Sequence, residues 1–124
     1  IEACPTDAIR EPFVVDAQRC LAFHTIENRD PDLPDAIKTS LGPWIAGCDI
    51  CQDVCPWNHR DLPRSEDPEM QPRPWLLNVN AQDLQNWDDA TWDQQLRGSA
   101  LRRIKPWMWR RNAAAAQPDL PPNL

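Results

Sequence analysis

The chain has no tyrosine, only three glycines and only two histidines among its 124 residues. Phosphate-binding loops and dinucleotide fingerprints need several glycines at fixed spacing, and neither pattern occurs. No apolar run approaches the roughly 20 residues of a membrane-spanning helix. No basic stretch followed by an apolar stretch, as in a signal peptide, opens the sequence. We therefore expect neither a nucleotide-binding loop nor association with a membrane.

Cysteine is the residue type that the chain does place in a pattern. Five cysteines lie in the first half, at positions 4, 20, 48, 51 and 55. An odd number does not form a closed set of disulfides, and such close spacing is typical of a metal site in a reducing compartment. Cys4 and Cys55 are each followed by proline, as is the last cysteine of the C-x2-C-x2-C-x3-C-P run in bacterial two-cluster ferredoxins. The sequence therefore predicts [4Fe–4S] clusters.

The same template assigns the ligands. In two-cluster ferredoxins the last cysteine of each run binds the other run's cluster. One predicted cluster is therefore held by Cys4, Cys20, Cys48 and Cys51, and Cys55 belongs to the second cluster. The cysteine that should precede Cys4 would fall just before Ile1, so we expect the chain to be a fragment that lacks three ligands of the second cluster. Between Cys20 and Cys48 the template is interrupted by 27 residues.

A structural zinc site built on Cys48 and Cys51 is the alternative. Zinc does not account for two Cys-Pro pairs, so the sequence favours iron and sulfur. The apolar wall of the cluster should come from Ile9, Val15, Ile50, Val54 and Trp57. His24 and His59 are interpreted as satisfied or surface histidines rather than proton carriers near a redox centre.

The apolar patterns predict local structure in both halves of the chain. Residues 8–9 and 13–15 flank a proline-containing turn and predict a small hairpin. Asn80 and Asp88 each precede a helical pattern as N-caps, the second pattern running through Trp92 and Leu96 to Ala100. Lys105-Pro106 opens a third helix that should reach Ala116, since proline is tolerated at the first helical position.

These elements predict an α+β fold in four parts. A ferredoxin-like two-cluster domain should occupy 1–60, and a proline-rich linker 61–79. A small α-helical region similar to a HEAT-like repeat unit should occupy 80–116, and a flexible tail 117–124.

Charge is distributed unevenly along the sequence. Residues 1–95 carry 18 acidic and 7 basic side chains, whereas 96–124 carry one acidic and six basic. A basic end on an acidic body favours a polyanionic partner there. Arginine interleaved with Trp107 and Trp109 suits phosphate contacts and stacking on exposed bases. The predicted nucleic-acid contacts are Arg102, Arg103, Lys105, Arg110 and Arg111; a solvated helix face is the competing interpretation.

Taken together, these residues resemble one family, epoxyqueuosine reductase. The resemblance covers nearly the whole chain and is most specific where the interrupted run ends in Cys55-Pro56-Trp57-Asn58. The other segments that carry it are Cys4-Pro5-Thr6-Asp7-Ala8-Ile9, Val15-Asp16, Arg19-Cys20, Thr25-Ile26-Glu27, Gly47-Cys48-Asp49-Ile50-Cys51-Gln52-Asp53-Val54, Arg97-Gly98-Ser99, Arg102-Arg103 and Arg111-Asn112-Ala113-Ala114.

The resemblance implies a function. Members of this family are cytoplasmic, use cobalamin and two [4Fe–4S] clusters, and reduce epoxyqueuosine to queuosine in tRNA with electrons from an external donor. The chain would be the C-terminal part, with the cobalamin domain and the catalytic acid elsewhere, so no catalytic residue is expected here. We expect a monomer that binds tRNA. Because they lie close to the cluster, Asp49, Ile50 and the segment 25–27, with Glu27, are predicted to face corrin or tRNA.

Two other hypotheses come from different classes of protein. One is a stand-alone ferredoxin-like electron-transfer module, and the other is a zinc-stabilised RNA-binding module. The reductase is favoured because the 27-residue interruption is foreign to an ordinary ferredoxin run.

Parallel anaerobic reconstitutions with iron plus sulfide and with zinc distinguish the metal. We expect iron and sulfide to produce visible thiolate-to-iron absorption, because the cysteine pattern is that of a cubane cluster. Stoichiometric zinc uptake with no visible band in the iron sample would instead support the zinc-stabilised module.

Overall fold

The computed structural model describes residues 1–59 and 63–117 as a mixed fold with a small sheet and short helices. The strands are β1 (Ile9–Glu11) and β2 (Val14–Val15). None of the helices in these ranges is long and apolar enough to cross a membrane. The α-helices are α1 (Leu21–Ile26), α2 (Asp35–Ser40), α3 (Ile50–Asp53), α4 (Ala81–Asn86), α5 (Asp89–Leu96) and α6 (Pro106–Ala115).

The predicted hairpin is present. β1 and β2 pair antiparallel with Ile9 opposite Val15 and Glu11 opposite Val14. The residue between Ile9 and Glu11 has no partner on β2 and forms a bulge. Phe13 closes the turn in the left-handed region, with φ 69°, and its side chain is fully exposed. The hairpin follows Cys4 and leads to Cys20, which brings these two cysteines back toward each other.

Two of the predicted helix starts are confirmed by their caps. Asn80 and Asp83 form a reciprocal capping box, in which the Asp83 N–H donates to Asn80 Oδ1 (2.9 Å) and the Asn80 N–H donates to Asp83 Oδ2 (3.1 Å). The Thr91 N–H donates to Asp88 Oδ1 (2.7 Å) at the start of α5. Each cap satisfies an otherwise unpaired N–H of the first turn.

The predicted continuation of α5 to Ala100 is wrong. The helix ends at Leu96, and Gly98 follows with φ 73°, a conformation that interrupts a right-handed helix and that glycine adopts without strain. Ala100 instead begins a separate 3₁₀ helix, Ala100–Arg103, capped by the Ser99 hydroxyl.

The proline-rich segment contains more structure than the sequence suggested. Two short 3₁₀ helices, Pro68–Met70 and Pro74–Leu77, each begin with proline, whose fixed φ suits a first helical position. Arg73 ties this segment to the end of α5, since its guanidinium donates to the carbonyls of Gln95 and Arg97 at 2.9 Å each.

A shared core joins the two halves of the chain. Its buried members come from α4, α5, α6 and the turn before α6, and Ile26, Ile45 and Ala46 of the first half pack against them. The buried members are Leu84, Leu96, Ile104, Met108, Trp109 and Ala113. A second apolar cluster under α1 and α2 contains Leu21, Leu33, Ile37 and Leu41. The predicted boundary between 60 and 80 therefore separates segments that pack together, not separate cores.

The predicted tail at 117–124 lies outside the described residues except for Gln117. The Gln117 N–H donates to the Gly42 carbonyl at 2.8 Å, which returns the end of α6 to the loop after α2.

Arg111 of α6 is the main polar link between the halves. Its guanidinium donates to the carbonyls of Asn28 (3.0 Å), Asp30 and His24 (2.8 Å). His24 lies in the last turn of α1, and the other two follow the helix. Burial lowers the pKa of Arg111, yet guanidinium stays charged in proteins. These bonds therefore join a cation to carbonyl oxygens at the negative end of a helix.

Replacing this guanidinium should loosen the joined halves. We expect Arg111→Ala to lower the free energy of unfolding by about 2 kcal/mol, because three carbonyls lose a charged donor. Lys105 is an exposed residue just before the same helix, and Lys105→Ala should change the free energy of unfolding by less than about 0.5 kcal/mol. Urea denaturation followed by circular dichroism measures both, and equal effects would show that the Arg111 bonds do not hold the halves together.

Candidate iron–sulfur site

Four of the five cysteines line a single cavity. They are Cys4, Cys20, Cys48 and Cys51, and the rest of the wall is mainly apolar, including Ala8, Ile9, Val15, Leu21 and Ile50. Cys55 is not among the lining residues. All five are free thiols, with Cys51 exposed and the others partly buried.

Local structure explains how each thiol reaches the cavity. Cys4 lies in a turn in which the Asp7 N–H donates to the Cys4 carbonyl (3.2 Å) and the Ala8 N–H donates to Cys4 Sγ (3.2 Å). Cys20 closes the 3₁₀ helix Ala17–Arg19 and directly precedes α1. Cys48 comes just before α3 and Cys51 within it, so one short helix carries the C-x2-C pair.

Two of the thiols have shifted acidities with identifiable causes. Burial disfavours the Cys4 thiolate, but hydrogen bonds from the backbone and hydroxyl of Thr6 and from the Ala8 N–H outweigh it and lower the pKa of Cys4. Burial raises the pKa of Cys48, and the neighbouring thiols of Cys51, Cys20 and Cys4 raise it further.

The cavity has the chemistry that an iron–sulfur cluster requires. Iron–sulfur clusters are bound by four cysteine thiolates, and hydrogen bonds to sulfur together with solvent exclusion tune their potentials. Here four thiols face an apolar wall, and a backbone N–H already donates to Cys4 Sγ. Across residues 1–59 and 63–117, no three His, Cys, Asp or Glu side chains form a group that could hold a single metal ion.

The apolar wall is only partly the one predicted. Ile9, Val15 and Ile50 line the cavity. Val54 and Trp57 do not line it, and their side chains are 44% and 67% exposed. In the sequence they flank Cys55, just after the end of α3 at Asp53.

His24 is a structural histidine, as the sequence interpretation favoured. It is 2% exposed, its Nε2–H donates to the Gln18 carbonyl (2.8 Å), and its Nδ1 accepts from Asn28 Nδ2 (3.0 Å). One donor and one acceptor are the pattern of the neutral ring. His59 is exposed in the loop after Cys55.

The residues predicted to face corrin or tRNA lie in four different environments. Asp49 is exposed at the start of α3, whereas Ile50 is 2% exposed and forms part of the cavity wall. Glu27 forms an ion pair with Arg103, which lowers the pKa of Glu27. Thr25, which belongs to the same predicted segment, is completely buried, so its hydroxyl bonds to groups inside the protein.

Most of the predicted nucleic-acid contacts already have partners within the chain. Arg102 pairs with Asp93 and lies over the Trp92 ring, 5.0 Å from its centroid. Arg103 pairs with Glu27, as above, and the Arg110 guanidinium donates to the Trp87 carbonyl (2.9 Å) and to Asp89 (3.1 Å).

Lys105 differs from these arginines. Arg111 is committed to the α1 carbonyls, whereas the exposed Lys105 ammonium has no hydrogen bond or ion pair to any residue that the structure describes. Of the five predicted contacts, Lys105 is therefore the one whose side-chain charge has no partner among residues 1–59 and 63–117.

Sequence reasoning missed Asn112, which is completely buried and bonded to both sides of the cluster region. Nothing in the local pattern of α6 distinguishes it from a helix-surface asparagine. Its signals are its place directly after Arg111 and its membership of the segment Arg111-Asn112-Ala113-Ala114, which carries part of the family resemblance.

Comparison with protein families agrees with the geometry. Residues 1–58 match the family described as a 4Fe-4S double cluster binding domain. An epoxyqueuosine reductase of Synechococcus sp. (strain CC9605) is 76% identical over the whole of this chain, which spans 39% of that relative. One from Prochlorococcus marinus (strain NATL2A) is 61% identical over 90% of this chain and 36% of the relative. The chain thus spans about a third to two fifths of the length of the curated relatives that it matches.

Solved structures give the same result. A structure of epoxyqueuosine reductase from Bacillus subtilis superposes with a TM-score of 0.82 at 31% identity, covering 92% of this chain and 30% of that one. The crystal structure of an epoxyqueuosine reductase with an epoxyqueuosine-modified tRNA-Tyr stem loop matches with the same score, identity and coverage.

Proposed function

This chain belongs to the epoxyqueuosine reductase family, and on that premise we propose that it forms the iron–sulfur part of an enzyme that reduces epoxyqueuosine to queuosine in tRNA. The observation that carries the proposal is the convergence of Cys4 and Cys20 with the C-x2-C pair on one cavity. A stand-alone ferredoxin is disfavoured because the relatives match beyond the cluster domain, through the helices that follow it.

We propose that Cys4, Cys20, Cys48 and Cys51 hold one [4Fe–4S] cluster and that Cys55 serves the other. When bound, such clusters supply one-electron transfer, which in this family feeds cobalamin. The chain's own residues hold the sulfur ligands and exclude water: Ile50 and Leu21 form the wall, and the Ala8 N–H stabilises the Cys4 thiolate.

The remaining proposed roles are contacts with cobalamin and with an electron donor. Asp49, Ile50 and Glu27 are proposed for the side facing cobalamin, Ile50 through the cavity wall. No residue of this chain is proposed as catalytic, since the cobalamin domain and the catalytic acid belong to other parts of the relatives' length. The enzyme is proposed to act in the cytoplasm as a monomer with an external electron donor.

The helical region is proposed as a HEAT-like unit that holds tRNA. Supporting this, α4 and α6 pack along each other, and Gln85 Nε2 of α4 donates to the Ala113 carbonyl of α6 (3.1 Å). The proposed boundaries stay at 1–60, 61–79 and 80–116, with one core shared across them. Lys105 is the leading phosphate contact. Contacts with tRNA are also proposed for Arg102, Arg103, Arg110 and Arg111, which would bind it in addition to their present partners or after releasing them.

Paired cysteine substitutions in the natural full-length protein test the ligand assignment. Cys4→Ser and Cys51→Ser remove ligands of the same proposed cluster, so their combination should lose no more iron than either alone. Cys4→Ser with Cys55→Ser should lose the iron of both clusters. Iron and sulfide analysis with electron paramagnetic resonance measures the loss, and additive loss in the first pair would contradict the shared site.

The two lysines of the chain provide a matched test of tRNA binding. Lys105→Ala should weaken binding of a tRNA stem loop and reduce the slope of log K against log salt by about 1, because one phosphate contact is lost. Lys38→Ala is the control, since Lys38 is paired with Asp32 at 2.7 Å. Fluorescence anisotropy over a salt series measures both slopes. An unchanged slope in Lys105→Ala would remove Lys105 from the proposed interface.

A further inference from the structure

The interruption of the cluster run creates a mechanical requirement. Cys20 and Cys48 are separated by the 27 residues 21–47, yet both line the same cavity. In an uninterrupted run, two intervening residues fix the spacing of neighbouring ligands locally. Here α1 leaves Cys20 and a loop returns to Cys48, so a contact between α1 and that loop has to set the spacing.

Thr25 makes the first such contact. Its hydroxyl donates to the Leu21 carbonyl one turn earlier (2.9 Å) and accepts from the Gly47 N–H (3.0 Å). Leu21 directly follows Cys20, and Gly47 directly precedes Cys48. The side chain is completely buried, so one hydroxyl joins the backbone next to one ligand to the backbone next to the other.

Asn112 makes the second contact from the far end of the chain. Its Nδ2 donates to the Thr25 carbonyl (2.8 Å) and to the Ile45 carbonyl (2.9 Å). Its Oδ1 accepts from Arg111 Nε (3.0 Å) and Nη2 (2.9 Å). Two donors and two acceptor bonds account for the whole amide, and the guanidinium, a pure donor, fixes which atom is oxygen.

We propose that Thr25 and Asn112 are positioning residues of the iron–sulfur site, which set the separation of Cys20 and Cys48 and couple it to α6. The inference rests on the proposed function, because it requires that the cavity hold a cluster. Both residues are fully buried and touch backbone on each side of the interruption. Apolar side chains could fill these two buried positions without any hydrogen bond, because a buried polar group costs stability unless it is bonded. The polar atoms of Thr25 and Asn112 therefore indicate a role beyond packing.

The hydrogen bonds of Asn112 couple the position of α6 to the segment before Cys48. Asn112 lies on α6, in the region proposed to hold tRNA, and its amide ends on the segment before Cys48. A shift of α6 therefore moves the Thr25 and Ile45 carbonyls together. Groups that contact and orient metal ligands typically change metal affinity by roughly 10-fold to 100-fold when they are removed.

The test uses Thr25→Val and Thr25→Ser in the natural full-length protein after anaerobic reconstitution. Valine keeps the shape but leaves the Gly47 N–H without its acceptor, whereas serine retains the hydroxyl. We expect cluster loss to an iron chelator to be about tenfold faster in Thr25→Val, with a changed electron paramagnetic resonance spectrum and midpoint potential. Thr25→Ser should restore all three properties toward those of the unsubstituted protein.

Asn112→Ala is compared with Gln85→Ala. The control removes a side-chain amide that donates to the Ala113 carbonyl of α6 and does not touch the segments beside the cysteines. We expect the cluster spectrum and potential to change in Asn112→Ala and to stay unchanged in Gln85→Ala, whatever their effects on thermal unfolding. If Asn112→Ala does not fold, the valine–serine comparison at Thr25 decides alone.

The cluster content of the unsubstituted protein and the properties of the Thr25 variants test the proposed function and the positioning role separately. Absence of cubane iron and sulfide in the unsubstituted protein would overturn the proposed function and this inference with it. Normal clusters there, combined with identical spectra and chelation rates in Thr25→Val and Thr25→Ser, would overturn the positioning role alone.

Discussion

The fold depends on bringing sulfur atoms from distant parts of the chain to one apolar cavity. Cys4, Cys20 and the Cys48–Cys51 pair arrive from a turn, a 3₁₀ helix and the short helix α3. Burial disfavours a thiolate at Cys48 and raises its pKa, and repulsion from the neighbouring thiols adds to this shift. Bound iron would supply the positive charge that offsets this repulsion, so the site and its metal are expected to stabilise each other.

The C-terminal helix is part of the same construction and not an appendage. Arg111 satisfies the carbonyls at the end of α1, while Asn112 reaches the loop that leads to Cys48. Apolar residues of both halves complete the core between these bonds. Among the residues that the structure describes, Arg102, Arg103, Arg110 and Arg111 all have partners within the chain.

Much of the candidate site could be predicted from the sequence, although its ligand set is not a local pattern. The two Cys-Pro pairs predict which cysteines share a cluster only through the two-run template. The caps at Asn80 and Asp88 predict helix starts because each cap lies within a few residues of the helix start that it marks. The end of α5 was mispredicted because Trp92, Leu96 and Ala100 keep a helical period across Gly98. The positions of Arg103, Arg111 and Asn112 depend on partners more than seventy residues away, which no local pattern contains.

The central claim is that one [4Fe–4S] cluster occupies the cavity between the turn at Cys4 and helix α3. Diffraction from anaerobic crystals of the natural full-length protein, recorded above and below the iron absorption edge, tests it most directly. The account predicts an anomalous iron peak surrounded by the sulfur atoms of Cys4, Cys20, Cys48 and Cys51, with Cys55 bound to a separate peak. A single peak at the zinc edge, or iron bound without one of these four cysteines, would contradict it.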